Sequence, residues 1–256
     1  MARSNAEREA YANSTYTPPA IPTFTPTPIP DQKKLADALP SIQDGERDFN
    51  IVVFGDSTGV SGTGWQVLVP TWLGEKYDRP VTLHPWNRDD LKYDQLWGLR
   101  QSGKNAPITV WNGSSPGRNV AFAREHQKEI VPVDADSIDL VFVNFGHTEK
   151  LGLATDTVGS FMEDLAKEYP NAPIVYLKQN PDRSESPLIE TQAANVEALE
   201  QWTAEHKFES IPVYDAFIKA GNVDSLIDGP TLIHPNEKGY KIWSKVMIKR
   251  LKDDGF

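Results

Sequence analysis

From residue 48 onward, short apolar runs alternate with stretches of helical periodicity, and this alternation restricts the fold more than any other feature. The first run, Phe49–Gly55, is rich in β-branched residues, and large apolar residues follow at helical spacing over 64–77. Apolar strands separated by amphipathic helices indicate a parallel sheet covered on both faces, of which the flavodoxin-like three-layer α/β/α sandwich is the natural form. Further strands are predicted at 80–84, 107–112, 138–145, 173–178 and 211–214, and further helices at 118–129, 157–169, 187–206 and 236–252.

The N-terminal part of the chain has a different composition. Prolines are so dense over residues 14–30 that the segment can neither continue a helix nor pair fully in a sheet, which predicts an extended spacer. The spacer is either a tether to a membrane, cell wall or virion, or a tail lying on the domain surface. A short helix at 32–43 is predicted to lead into the core. We therefore predict an arm or tether with a short helix at 1–47 and a globular domain at 48–256.

Charge and cysteine content exclude several classes of function. Lys and Arg total 26 against 36 Asp and Glu, a formal charge of −10 without a long basic run, which disfavours nucleic acid or an anionic membrane as a partner. The chain has no cysteine, so thiol nucleophiles, disulfides and thiolate metal sites are excluded. No His, Asp or Glu group shows metal-ligand spacing, and we expect neither a metal nor a cofactor. The oligomeric state stays open.

No apolar run is long enough to span a bilayer, and the first residues lack the apolar core of a signal peptide. The protein is expected outside the cytoplasm or on a virion if a leader or anchor was removed or the arm is a tether. Otherwise it is expected in the cytoplasm.

Gly55-Asp56-Ser57 lies where the first strand should give way to a helix. A serine there stands at the carboxyl end of a strand, near backbone N–H groups that can hold an oxyanion. A helix-capping serine in a glycine-rich turn is the simpler interpretation. A phosphate-binding loop is disfavoured because the stretch lacks the Gly-Lys-Ser/Thr ending, and Gly59, Gly62 and Gly64 have the wrong order for a dinucleotide fingerprint.

His234 lies near the other end of the chain, in a loop before the last predicted helix. From that loop it can reach across the carboxyl edge of the sheet to Ser57, and an ordinary imidazole pKa near 6.5 suits it to accept the serine proton. A lone histidine would more often be structural, but its pairing with the Gly-Asp-Ser turn favours catalysis.

Together these residues resemble the sequence blocks of the SGNH (GDSL-like) hydrolases. Gly55-Asp56-Ser57 is similar to the first block, and Asp228-Gly229 with His234-Pro235 is similar to the last. Residues 110–117, Val-Trp-Asn-Gly-Ser-Ser-Pro-Gly, are similar to the second block, whose glycine N–H helps to form the oxyanion hole; Gly117 is that position. The resemblance covers residues 48–252 and implies a mostly parallel, five-stranded sheet in a catalytic domain, with Ser57 as nucleophile and His234 as base.

The chain departs from the family at two positions. The third block, Gly-x-Asn-Asp, corresponds to Gly146-His147-Thr148-Glu149, so a threonine hydroxyl replaces the asparagine amide that donates to the oxyanion. Loss of one such donor costs about 2.7–4 kcal/mol of transition-state stabilisation. The family's acid lies three residues before the histidine, where this chain has Thr231, whereas Asp228 lies six before. Either an inserted loop returns Asp228 to the site, which we favour, or the enzyme works with a Ser–His dyad.

The resemblance implies hydrolysis of an ester through an acyl-enzyme, with the oxyanion held by Ser57, Gly117 and Thr148. Small acyl esters on carbohydrate, such as O-acetyl groups, are the favoured substrates. The alternatives are a lipid or thioester hydrolase, or a catalytically weak binding or structural module of a cell surface or phage particle. Trp86, Trp97, Trp111 and His147 are candidates for contacts with a sugar ring, although core packing explains the tryptophans equally well.

Overall fold

The structure is a computed structural model that describes residues 31–256. The predicted spacer at 14–30 lies outside the described residues. The short helix predicted at 32–43 is found as a 3-10 turn, Leu35–Ala38, followed by helix α1, Leu39–Asp44. Leu35 and Ile42 are buried in the core of the domain, so this segment packs on the sheet's helical layer.

An eight-stranded sheet forms the centre of the molecule. Its strands are β1 (Phe49–Gly55), β2 (Val81–Asn87), β3 (Lys92–Tyr93), β4 (Trp97–Arg100), β5 (Ile108–Asn112), β6 (Ile138–Asn144), β7 (Ile174–Leu177) and β8 (Glu209–Ile211). The order is β3-β2-β5-β1-β6-β7-β8, and β4 also pairs with β2. Six strands are parallel, and only the short β3 and β4 run antiparallel to β2. The mostly parallel sheet is confirmed, but the expected five strands are corrected to eight.

Helices cover both faces of this sheet. The remaining helices are α2 (Trp65–Lys76), α3 (Val120–Glu125), α4 (Gln127–Ile130), α5 (Ser160–Glu168), α6 (Ile189–Glu205), α7 (Val213–Ala220) and α8 (Glu237–Asp253). Along β1, Ile51 and Val53 belong to a core cluster with residues of α2 and α8, whereas Val52 and Phe54 belong to a second cluster with residues of α5. Alternate residues of one strand thus enter two cores, which confirms the flavodoxin-like α/β/α sandwich.

A buried arginine fixes α1 to the domain. The guanidinium of Arg79 is fully buried and donates to the backbone carbonyls of Ser41, Ile42, Arg47 and Ala106, at 2.9–3.2 Å. It therefore satisfies carbonyl groups at the end of α1 that have no partner within the helix.

The strand order determines where a site can form. β1 lies between β5 and β6, and the chain fills one side of the sheet with β2 and β5 before it crosses to β6 on the other side. In open α/β sheets, ligands bind outside the carboxyl end of the strand at which the order reverses. That strand is β1, and Ser57 follows it.

Candidate active site

The serine turn begins directly after β1. Ser57–Gly59 form one turn of 3-10 helix, capped by Asp56, whose Oδ1 accepts hydrogen bonds from the N–H and Oγ1 of Thr58 at 2.9 and 2.8 Å. Gly59 packs closely on Ser114, and a Cβ at position 59 would displace the Ser114 hydroxyl. Ser57 itself remains partly exposed.

The structure brings His234 to this serine. Its Nε2 lies 2.7 Å from Oγ of Ser57, although 177 residues separate the two in sequence. The loop that carries the histidine is closed by its own backbone: the N–H of Asp228 donates to the carbonyl of His234 at 2.7 Å, and the N–H of Leu232 donates to the carbonyl of Asp228 at 3.0 Å. The close approach is that of a hydroxyl to its base.

The surroundings favour the neutral imidazole. Burial lowers the pKa of His234 below its ordinary value, and the nearby His147 lowers it further, against the opposing charges of Asp56 and Asp228. A neutral imidazole at neutral pH can accept the Ser57 proton.

The carboxylate of Asp228 is not brought to the imidazole. In the described part of the chain it forms neither a hydrogen bond nor an ion pair with His234, and its contact with that residue is made by the backbone N–H. The six-residue spacing is accommodated in a loop in which Leu232 adopts a positive φ of 65°.

The two predicted oxyanion residues lie at one depression, whose lining does not include Ser57 or His234. Gly117 and Thr148 both line it. The loop before Gly117 is held to the serine turn by the N–H of Ser115, which donates to the carbonyl of Gly55 at 2.8 Å, and Gly117 has a φ of 71°. Oγ1 of Thr148 is buried and has no hydrogen-bond partner among residues 31–256.

His147 lies in the interior and does not line the depression. Its side chain is 3% exposed, and Nδ1 lies 2.9 Å from Oδ1 of Asp182. Burial acts to lower the pKa of His147, but Asp182 and Asp56 outweigh it and raise the pKa above its ordinary value. The imidazole of His147 is enclosed in this structure, and its contact with substrate stays a prediction.

The three candidate tryptophans pack within the domain. Trp111 stacks on His84 at 4.4 Å between ring centres and donates to Oδ1 of Asn50, at the far end of β1 from Ser57. Trp86 is 7% exposed, and Trp97 packs against the core cluster that contains α2. No hydrogen bond or ring contact joins any of them to Ser57 or His234 in the described chain. Trp86 also lines a depression with Pro116, so substrate contact by the tryptophans stays a prediction.

Sequence reasoning missed the polar residues behind the serine turn. Gln179 is fully buried and donates through Nε2 to Oδ2 of Asp56 at 2.9 Å and to Oγ1 of Thr58 at 3.1 Å. Nδ2 of Asn144 also donates to that hydroxyl at 2.9 Å. Their place in the sequence could have indicated them. Gln179 and Asn144 lie at the carboxyl ends of predicted apolar strands, where the site residues of this fold are found.

The described residues contain neither a metal-binding cluster nor a membrane-spanning helix. No cluster of three or more His, Asp or Glu side chains that could hold a metal ion occurs within residues 31–256. Over the same residues, no helix is long and apolar enough to cross a membrane.

Comparison with known proteins identifies the family of this chain. The sequence profile of the GDSL-like Lipase/Acylhydrolase family matches residues 53–242. The chain belongs to this family and is an SGNH-type hydrolase of acyl esters. A search of curated protein sequences found no match.

Solved structures share the fold at low sequence identity. A lipase/acylhydrolase from Enterococcus faecalis is 15% identical with a TM-score of 0.58, covering 80% of this chain and 96% of its own. An acetylxylan esterase from Geobacillus stearothermophilus is 17% identical with a TM-score of 0.55, covering 83% of this chain and 95% of its own. Catalytic mutants of that esterase, with a histidine or a serine replaced by alanine, have the same fold.

Proposed function

We propose that this protein is a serine esterase that removes small acyl groups, above all O-acetyl groups on carbohydrate, through an acyl-enzyme formed on Ser57. The observation that carries the proposal is the 2.7 Å approach of His234 Nε2 to Ser57 Oγ at the carboxyl edge of the sheet.

In the first step, Nε2 of His234 takes the proton of Ser57 as Oγ attacks the ester carbonyl. The carbonyl oxygen becomes an oxyanion, for which the N–H groups of Ser57 and Gly117 are the proposed donors. The hydroxyl of Thr148, which has no hydrogen-bond partner among the described residues, is the proposed third donor. The imidazolium then protonates the leaving alcohol, and water, activated by the same histidine, releases the acid.

In this mechanism the carboxylate of Asp228 does not hydrogen-bond to the imidazole, as the acid of a catalytic triad would. Its charge favours protonated His234 from a distance, and its backbone N–H closes the loop that presents the imidazole. The base thus works as one half of a Ser–His dyad whose ring is oriented chiefly by the loop.

The preference for carbohydrate esters is supported by the structural likeness to an acetylxylan esterase and by the strongly acidic chain. The test is hydrolysis of acetylated xylan, p-nitrophenyl acetate, p-nitrophenyl palmitate and an acyl thioester, with labelling by a fluorophosphonate probe. We expect labelling at Ser57 and the highest kcat/KM on acetyl esters.

Ser57→Ala should abolish labelling and turnover with little change in Tm, whereas the control Ser61→Ala, in the next turn, should retain both. Preference for the palmitate or the thioester would replace the substrate assignment by a lipid or thioester hydrolase. Absence of labelling in the wild-type protein would identify a binding module with the hydrolase fold.

A further inference from the structure

The segment that follows β7, residues 178–183, contacts both halves of the proposed dyad. Both the oxygen and the nitrogen of the Gln179 side-chain amide form hydrogen bonds on the side of the nucleophile. Oε1 accepts the N–H of His147 at 2.9 Å, while Nε2 donates to Asp56, to Thr58 and, at 3.1 Å, to the carbonyl of Asn144. One side chain therefore joins the serine turn to the loop that carries Thr148.

The backbone next to Gln179 is shaped for this contact. A Cβ on Gly146 would lie 2.8 Å from Oε1 of Gln179, so the amide passes where position 146 has no side chain. The carboxylate of Asp56 is fully buried, and displacement of the amide would remove one of its hydrogen-bond donors.

Asn180 makes the corresponding contact on the base side. It is fully buried, and its Nδ2 donates at 2.8 Å to the carbonyl of Ile233, the residue before His234. The N–H of Arg183 donates to the carbonyl of Leu232 at 2.8 Å, so the same segment holds the loop at two successive carbonyls.

The segment is itself fixed to rigid elements. It continues directly from β7, which pairs with both β6 and β8. Nε2 of Gln192, on α6, donates to the carbonyl of Asn180 at 2.9 Å. The frame that carries the two amides is therefore anchored in the sheet and in one of its covering helices.

We propose that Gln179 and Asn180 are positioning residues that set the distance between Ser57 and His234. Their adjacent side chains turn to opposite partners, one to the serine turn and one to the histidine loop. Because a misplacement of about 1 Å in a reacting pair costs on the order of a hundredfold in rate, a link of this kind controls turnover. The inference deepens the proposed esterase function and rests on it.

The test uses near-isosteric variants that lack the amide donors, Gln179→Met and Asn180→Leu, in the full chain. Each should lower kcat for p-nitrophenyl acetate by about 10- to 100-fold with little change in KM, because the distance between Ser57 and His234 changes while no side chain proposed to bind substrate is removed. The rate of fluorophosphonate labelling should fall in parallel.

Asn50→Leu is the matched control. Asn50 is a buried asparagine at the opposite edge of the sheet, and its Nδ2 donates to the backbone carbonyl of Ser137 at 3.1 Å. Its loss should lower Tm and leave kcat unchanged. If Gln179→Met and Asn180→Leu behave like this control, the residues stabilise the fold only and the proposal is wrong.

A double-mutant cycle with His234→Ala separates positioning from stability. If Asn180 acts through the imidazole, Asn180→Leu should have almost no further effect on the residual rate once His234 is alanine. An undiminished effect in that background would overturn the proposal. Should the first variants fail to fold, Gln179→Asn and Asn180→Ser, which shorten the amide or replace it by a hydroxyl, are judged by the same criteria.

Failure of the esterase function itself gives a different result. In that case the wild-type protein would show neither labelling nor turnover, or Ser57→Ala would retain both. If Ser57→Ala is inactive while Gln179→Met and Asn180→Leu keep the wild-type kcat, only the positioning role is refuted.

Discussion

Thr148→Val should raise stability and lower activity, a combination that follows from one unpaired hydroxyl. Oγ1 of Thr148 is buried and bonds to no other described group. Burial of an unpaired hydroxyl lowers the stability of the folded state by about 1–3 kcal/mol. An isosteric valine should recover about 1 kcal/mol, the lower end of this range. For a domain of this size the gain corresponds to about 2–4 °C in Tm.

The same change removes a proposed oxyanion donor, and kcat for p-nitrophenyl acetate should fall by at least about a hundredfold. Thermal unfolding by circular dichroism and initial-rate kinetics measure the two effects. Thr203→Val is the control, because the hydroxyl of this buried threonine donates to the carbonyl of Glu200 at 2.8 Å. Its loss should lower stability by about 0.5–1.5 kcal/mol without affecting the rate.

The reasoning is refuted if Thr148→Val lowers Tm as Thr203→Val does and leaves kcat unchanged. Thr148→Asn tests the same position in the other direction. The asparagine restores the residue typical of the family, and it should raise kcat by up to about a hundredfold if its amide reaches the oxyanion.

The remaining predictions concern protonation and the buried cation. Since the pKa of His234 is depressed, activity should be full at neutral pH and be lost as pH falls through a pKa below 6.5; a pH–rate profile that keeps rising above pH 7 would contradict this. Asp228→Asn should lower kcat less than about tenfold, because no hydrogen bond to the imidazole is lost, and should shift the rate profile to lower pH; a loss of several orders of magnitude would restore Asp228 to a triad. Arg79→Leu should cost about 3 kcal/mol or more in urea unfolding, because several buried carbonyls lose their donor; an unchanged midpoint would show that water replaces the guanidinium.

The central strands β1, β5, β6 and β7 were predictable from sequence because they are almost entirely buried and their apolar runs are continuous. The short and partly exposed strands β3 and β4 were not expected. The prediction failed at 211–214, where a strand was expected. The structure ends β8 at Ile211 and begins α7 at Val213, with Pro212 between them. A run of Ile, Pro and Val is apolar in either conformation, so periodicity could not separate a strand end from a helix start.

The site was predictable only as far as it follows local motifs. The turn at Ser57 and the loop at His234 carry their own sequence patterns, and the structure places them in contact. The burial of His147 depends on Asp182, and the position of the Asp228 carboxylate depends on the path of a loop with a positive φ at Leu232. Contacts and backbone conformations of this kind are set by tertiary packing, which a single sequence does not show.

The sequence separation of 177 between Ser57 and His234 also bears on when the enzyme becomes active. Contacts between distant parts of a chain form late in folding, because the intervening segment must first lose conformational entropy. Every strand of the sheet lies between the start of β1 and the loop that carries His234, the proposed base. During synthesis or refolding, the sheet can therefore assemble while the protein is still inert. Ester hydrolysis thus reports the docking of the C-terminal loop and α8, a later event than the secondary structure that circular dichroism detects.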